Sequence, residues 1–229
     1  MKGFSMGSKP SISIVIPTLN EERNIKTVLR GVRAVIKDYR HEIIVVDGYS
    51  TDNTVKYAKE LGARIIYDRH GKGMALIKGL NAAKGDITIS MDADLSNRPN
   101  ELKLLIAGIE AGYDVCMGSR FLTGGGSEDM PFHRKVGNKI FVSLVNLRYG
   151  SHYTDMCYGY RSFAKGVAQR LSLKEKGFGI ETEISMKVQS KRLRVLEVPS
   201  FEKLRASGEG KLRSISDGFI ILKTILKNM

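Results

Sequence analysis

Ile89-Ser90-Met91-Asp92-Ala93-Asp94-Leu95 is the stretch on which the reading of this chain turns: an apolar run breaks off into two carboxylates separated by one alanine. With 87–91 read as a strand, successive side chains alternate between faces, so Asp92 and Asp94 are expected on one side and Ala93 on the other. Two acids sharing one patch of space repel each other. A divalent cation that favours hard oxygen ligands, Mg²⁺ or Mn²⁺, relieves that cost. Asp-x-Asp pairs are also common on solvated turns, and position decides between the two readings. This pair ends the fourth of a series of buried strands, and open parallel sheets bind ligands at the carboxyl ends of their strands.

Working outward, the same pattern precedes it three times. Residues 11–16 (SISIVI) are apolar on both faces; Pro17 is expected to stop that strand, and a loop then leads into a helix to about 37 with Ile25, Val28, Leu29, Val32 and Val35 near 3.6 spacing. Residues 42–46 (EIIVV) end at Asp47, and 48–54 form a turn whose Ser and Thr can cap a helix to 61. A third strand covers 63–67, Gly71-Lys72-Gly73 opens a helix over 74–83, and 86–91 is the central strand. Downstream, a helix to 111 follows Pro99, and a strand over 113–117 ends in Gly118-Ser119-Arg120. Residues 122–130 are glycine-rich and read as a mobile loop. An amphipathic helix over 131–149 carries Phe132, Val136, Ile140 and Leu144 at steps of four, with Arg134, Lys135, Lys139 and Arg148 as its cations. Residues 155–163 and 177–183 read as site-building segments, 193–198 as a late strand and 201–211 as a basic loop. A second amphipathic helix, 212–227, aligns Leu212, Ile215, Phe219, Leu222 and Leu226. Strands and helices alternating at short spacing predict one α/β domain over 11–211, its mostly parallel sheet flanked by helices, between a flexible N-terminus (1–10) and a C-terminal amphipathic helix (212–229).

Bulk composition narrows the partners. The 229 residues show no linker that would divide them, and 37 Lys and Arg against 24 Asp and Glu leave a net charge of +13. That charge calls for an anionic partner: phosphorylated substrates, an anionic membrane surface or nucleic acid. Cys116 and Cys157, the only cysteines, have no metal-ligand spacing and read as buried inert thiols in a reduced cytoplasmic setting. The longest uncharged apolar stretch, 140–147, falls far short of the roughly 20 residues that span a bilayer.

Polar residues sit where a core-only account expects none: Asn20 and Glu21 after the first strand, Asp47 after the second, Arg69 and Lys72 after the third, Asp92 and Asp94 after the fourth, Arg120 after the fifth. Singly, Asp47 reads equally well as a turn cap, and Lys72 and Arg120 as surface cations. Together, on one edge of a parallel sheet, they form the mixed set of acids and cations that a sugar nucleotide requires.

At IVIPTLNEE (14–22), VVDGYSTDNT (45–54), GKGMAL (71–76), MDADLSNRP (91–99), GSRF (118–121), DMCYGYR (155–161) and RASGEGK (205–211) the chain resembles the inverting family 2 glycosyltransferases of GT-A fold, and within them the dolichyl-phosphate or polyprenyl-phosphate mannose and glucose synthases. The resemblance spans about 12–211. It implies that Pro17, Leu19, Glu21 and Asp47 frame the nucleotide with Lys72 nearby, and that Asp92 and Asp94 hold the metal and diphosphate. It further implies that Arg205 and Lys211 close over the leaving group, and that Arg120, Arg134 and Asn138 take the acceptor phosphate. Departures are Gly48 where a second Asp is frequent, Ser96 where a Gln or His is frequent, and Asn138 and Gly210 where serines are commoner.

The implied reaction moves a hexose from GDP-mannose or UDP-glucose to a lipid phosphate. A phosphate monoester, with a second pKa near 6, is already an anion at neutral pH and asks for arginines rather than a carboxylate base. A lipid acceptor also gives the two amphipathic helices a use as peripheral anchors on the cytoplasmic face of a membrane, alone or with a membrane-anchoring partner protein. Three rival readings compete with this one. A transferase acting on a soluble or polysaccharide hydroxyl shares the fold, but processive members carry a Gln-x-x-Arg-Trp motif and this chain has no tryptophan. A nucleotidyltransferase would show a glycine-rich triphosphate loop in place of PTLNEE. A nucleic-acid binder leaves the acids unexplained and lacks stacking aromatics, so no nucleic-acid partner is expected.

Overall fold

The structure is a computed structural model and describes residues 9–206 and 214–228. In chain order the elements are β1 (Ile12–Thr18), α1 (Ile25–Ile36), β2 (His41–Asp47), α2 (Thr54–Glu60), β3 (Arg64–Tyr67), α3 (Lys72–Ala82), β4 (Ile87–Ser90), α4 (Leu102–Glu110) and β5 (Val115–Ser119). They continue with β6 (Gly126–Ser127), α5 (Phe132–Tyr149), β7 (Arg161–Ala164), α6 (Val167–Arg170), α7 (Ile180–Ser190), β8 (Val195–Pro199), β9 (Phe201–Glu202) and α8 (Ser214–Asn228). Seven strands form one sheet in the order β3-β2-β1-β4-β7-β5-β8, and β6 pairs with β9 beside it. All neighbours in the large sheet are parallel except β7, which runs antiparallel to both β4 and β5.

The β-branched runs dictate the layers. Ile12, Ile14 and Ile16 of β1 and Ile43 and Val45 of β2 face one core with α1 and α4, while Val15, Ile44 and Val46 face a second core with α3, α5, α6 and α7. A sheet covered on both faces needs this two-sided apolar sequence. The contact with α3 is close: a Cβ at Gly79 would lie 2.3 Å from Val15 Cγ1 and 2.9 Å from Val46 Cγ2, so only glycine lets the helix sit at that depth.

Pro17 does not end the first strand. β1 pairs with β2 through Thr18↔Asp47, whereas its pairing with β4 stops at Val15↔Ser90. Beyond Val15 one edge of β1 is open, so a residue without N–H costs no ladder bond there. The helix expected from 74 begins at Lys72. The central strand ends at Ser90, and Asp92 and Asp94 lie in the following loop, which turns at Leu95 with φ 67°. Turn geometry, not strand alternation, therefore sets their direction. Residues 1–8 of the expected N-terminal segment lie outside the described residues. So do Leu212 and the side chain of Ile215, whereas α8 itself packs against α5 and α7.

No helix among the described residues is long and apolar enough to cross a membrane. The face of α5 turned to the protein is Asn138, Val142 and Val145. Its stripe of Phe132, Val136, Ile140, Leu144 and Leu147 faces outward, with Phe132 80%, Ile140 54% and Leu147 86% exposed. On α8, Phe219 and Leu226 are also exposed, and Ile225 is buried.

Candidate functional site

A cavity of about 530 Å³ opens at the carboxyl ends of β1–β5 and reaches α5. Pro17, Leu19 and Glu21 after β1, Lys72 at the start of α3, and Asp92 and Asp94 after β4 all line it. Arg120, Arg134, Asn138 and Arg205 line it from the other side. Asp47 does not. It is fully buried, accepts hydrogen bonds from Ser50 N (2.8 Å) and Ser50 Oγ (2.5 Å), and so fixes the 48–50 turn, of which Gly48 reaches the cavity. The nucleotide contact expected of Asp47 has no open face in this structure, where the residue lies behind the wall that it braces. Lys211 lies outside the described residues.

Asp92 and Asp94 open on the same cavity, each beside a cation. Lys72 Nζ lies 2.8 Å from Asp92 Oδ1 and 3.2 Å from Glu181 Oε1; Arg205 Nη2 lies 2.8 Å from Asp94 Oδ2. Burial works against the Lys72 charge, but the two carboxylates more than offset it and the ammonium pKa is raised. Local bonds hold the loop: Asn97 Oδ1 accepts from Asp92 N (2.7 Å), and Asp94 Oδ1 accepts from Ser96 N (3.0 Å). Asn97 is itself fixed from below, donating to Tyr158 Oη at 2.9 Å; Ser200 Oγ meets that hydroxyl at 3.2 Å and donates to Glu101. The chain just before the undescribed residues lies along the same loop, with Lys203 N on Ser96 O and Ala206 N on Asp94 O.

The donor set can be tested against a divalent ion. Two carboxylates on one cavity wall supply hard oxygens, and no group of three or more His, Cys, Asp or Glu that could form a full protein cage occurs among the described residues. Mg²⁺ is commonly held by one or two carboxylates plus substrate phosphates and water, so the pair fits an ion shared with a diphosphate. Ser96 donates its N–H to Asp94 and adds no carboxylate or imidazole.

Arg120 differs from the expectation. Its Nε and Nη2 bond Asp155 Oδ2 (2.7 Å) and Oδ1 (3.0 Å), Nη1 bonds Glu202 Oε2 (3.1 Å), and the guanidinium lies 4.7 Å over the Tyr158 ring. Its side chain is 9% exposed and Asp155 is fully buried. Two carboxylates hold this cation, so here it acts as a strut joining β5, the 155–160 loop and β9, and the acceptor-phosphate role expected of it would require these pairs to open. Arg161 is likewise internal: its guanidinium donates to the carbonyls of Met156, Tyr158 and Glu181. Asn138 is buried; it donates to Thr154 O at 3.4 Å, and its Oδ1 has no partner among the described residues. Cys157 also lines the cavity, with its thiol pushed up to about 12 by burial.

Four acids in the cavity wall were not singled out from the sequence: Asp68, Asp129, Glu181 and Glu202. Glu181 begins a helix whose apolar periodicity is weak, Glu202 sits in a two-residue strand, and Asp68 follows β3 and is held by His70 N at 2.8 Å. Asp68, at a strand end like Asp47 and Asp92, carried a positional signal, and Glu181 falls within the 177–183 stretch read as site-building.

Comparison with known proteins adds lineage to this geometry. The family model described as "Glycosyl transferase family 2" matches residues 13–172. A dolichol-phosphate mannosyltransferase of Pyrococcus furiosus is 35% identical over 210 residues, covering 88% of this chain and 59% of that protein. A polyprenol monophosphomannose synthase of Mycolicibacterium smegmatis is 28% identical over 213 residues, covering 87% of this chain and 80% of its own. Among solved structures, glucosyl-3-phosphoglycerate synthase of Mycobacterium tuberculosis, crystallised with Mn²⁺, UDP and glucosyl-3-phosphoglycerate, superposes with a TM-score of 0.72 at 22% identity over 96% of this chain and 80% of that one. The chain thus spans about three fifths of the length of the Pyrococcus relative and shares a GT-A fold with its structural neighbours.

Proposed function

This chain belongs to glycosyl transferase family 2, and from that premise we propose that it transfers a hexose from a nucleotide sugar to the phosphate of a polyprenyl or dolichyl carrier. The observation that carries the reading is one continuous cavity. It joins the Asp92–Asp94 loop to Arg134 and Asn138 on α5, a helix whose outer face is an exposed apolar stripe flanked by cations.

In this reading Pro17, Leu19 and Glu21 receive the nucleoside beside the turn braced by Asp47. Asp92 and Asp94 would hold Mg²⁺ or Mn²⁺, which when bound neutralises charge on the diphosphate. Lys72 and Arg205, with Lys211 of the following segment, add positive charge at the leaving group, where it counts most. Displacement is in line: an acceptor phosphate oxygen forms a bond to the anomeric carbon as the bond to the diphosphate oxygen breaks, which inverts that centre. The phosphate arrives ionised and needs no base. Arg134 and Asn138 orient it, and Arg120 holds the wall behind. The relatives' names favour mannose as the sugar; GDP-mannose and UDP-glucose are the two candidate donors. Phe132, Ile140 and Leu147, beside exposed Lys135 and Lys139, would enter the headgroup layer of a membrane at its cytoplasmic face and set the cavity mouth at the lipid phosphate.

One observation favours a second reading. Glu202 puts a carboxylate on the cavity close to Arg120, and a carboxylate there suits a hydroxyl acceptor that must lose a proton. A matrix of GDP- and UDP-sugars against polyprenyl phosphate and hydroxyl acceptors, with Mn²⁺ or Mg²⁺ and products read by mass, separates the two. The lipid-phosphate reading expects product only with the lipid phosphate, its loss in Asp94→Ala, and a raised acceptor KM in Arg134→Ala. Product with hydroxyl acceptors alone overturns it.

A further inference from the structure

Asp92 and Asp94 are already neutralised by the chain's own cations. Lys72 takes Asp92 Oδ1 and Arg205 takes Asp94 Oδ2, both at 2.8 Å, so oxygens that a divalent ion needs are engaged. Lys72 has a second anchor in Glu181, a buried carboxylate in the first turn of α7 to which the proposed transfer gives no task. Arg205 rides on a segment stitched to the Asp92–Asp94 loop by two backbone hydrogen bonds, Lys203 N to Ser96 O (3.0 Å) and Ala206 N to Asp94 O (3.3 Å).

The charges of this set constrain what can enter. Asp92, Asp94 and Glu181 against Lys72 and Arg205 leave one net negative charge. A divalent ion entering alone would turn that into one net positive charge, with two displaced cations facing the ion in a partly desolvated cavity, where like charges repel strongly. The two negative charges of a nucleotide-sugar diphosphate return the set to its original balance and give both displaced cations a partner.

We propose that Lys72 and Arg205 are exchangeable counter-ions of the Asp92–Asp94 pair: they pass to the donor diphosphate when a divalent ion takes the carboxylates, and Glu181 is the positioning residue that keeps Lys72 in reach. The inference rests on the nucleotide-sugar reading above. Its consequence is that ion and diphosphate enter as one unit and the ion alone binds weakly. Either cation is then both a guard of the acids and a ligand of the leaving group.

Mn²⁺ is the probe, its bound fraction in the full chain read from the electron paramagnetic resonance signal of free Mn²⁺, alone and with GDP or UDP. Wild type is expected to bind Mn²⁺ alone at least about tenfold more weakly than with its diphosphate, within the usual range of coupling between two ligands. Lys72→Met and, separately, Arg205→Gln are expected to bind Mn²⁺ alone several-fold more tightly than wild type and to lose most of the diphosphate's enhancement. The Arg205 side chain is partly exposed on a loop, so that variant tests the idea even if Lys72→Met fails to fold. If wild type shows the enhancement but the folded variants bind Mn²⁺ alone no better than wild type, the exchange is wrong and the donor reading stands. If neither diphosphate promotes Mn²⁺ binding to wild type, the donor reading falls and the exchange with it.

Discussion

Replacing Arg120 by Gln separates a strut from a receptor. The substitution leaves Asp155, fully buried, without the bidentate partner that holds it at 2.7 and 3.0 Å, and removes the cation facing Glu202. Removing one partner of a buried ion pair costs about 3–5 kcal/mol, and a domain of this size moves its Tm by about 2–4 °C per kcal/mol, so a fall of roughly 6–20 °C is expected. Thermal unfolding followed by circular dichroism measures it. Asp155→Asn in the Arg120→Gln background should recover part of the loss, because the stranded charge is gone, and that recovery would mark the pair as coupled. A receptor for acceptor phosphate behaves otherwise: nothing buried is orphaned, Tm holds within about 2 °C of wild type, well below the shift a lost strut implies, and only the acceptor KM rises. That combination would refute the assignment of Arg120 to the scaffold.

Two further outcomes follow from the same structure. Asp86 accepts from Ser11 Oγ and Ser11 N and pairs with Lys165, and these partners, the Ser11 hydroxyl first, hold its carboxyl down at about 2. A depressed folded pKa stabilises the native state above the unfolded value and is lost as pH falls through the folded one. Asp86→Asn should therefore lower Tm at neutral pH, with the gap to wild type closing between about pH 4 and pH 2; a gap independent of pH would contradict it. On α5, Phe132→Ser, Ile140→Ser and Leu147→Ser together remove exposed apolar surface without touching Asn138, Val142 or Val145. Sedimentation with anionic liposomes at low salt should fall at least about tenfold, given about 1.5–3 kcal/mol for each large side chain taken out of water, while Tm stays unchanged; undiminished sedimentation would remove the membrane role from this helix.

The fold was legible where burial on both faces forces long β-branched runs. Ile12 to Ile16 and Ile43 to Val46 announce strands by composition, and α1 announces itself by Ile25, Val28, Leu29 and Val32 on one face. β7 gave no such signal. Its four residues, Arg161–Ala164, begin with a fully buried arginine and make an antiparallel insertion between β4 and β5. What places that strand is a set of hydrogen bonds from the Arg161 guanidinium to three backbone carbonyls, one of them on α7. Such bonds leave no trace in the spacing of apolar residues. Burial and loss of bulk water lower the pKa of this arginine, yet the carbonyls satisfy its donors, and the site survives as scaffold.

The candidate site was legible for the same topological reason that it exists: parallel strands end on one edge, so polar residues after successive strands converge. Sequence position could not say which of the gathered cations are free to meet a ligand. Arg120 is claimed by acids 35 and 82 residues away, in a loop and a two-residue strand that no periodicity foretells. Lys72 is claimed by one acid after the central strand and another at the start of α7, with its ion pairs open to the cavity. The two cations therefore differ in what an incoming anion must displace. At Arg120 a phosphate would have to break a bidentate pair with a fully buried carboxylate, which would be left without compensation. At Lys72 the acids left behind can take an incoming metal ion instead. Compensation for the abandoned carboxylates, rather than the number of arginines and lysines along a sheet edge, decides which of them can serve chemistry.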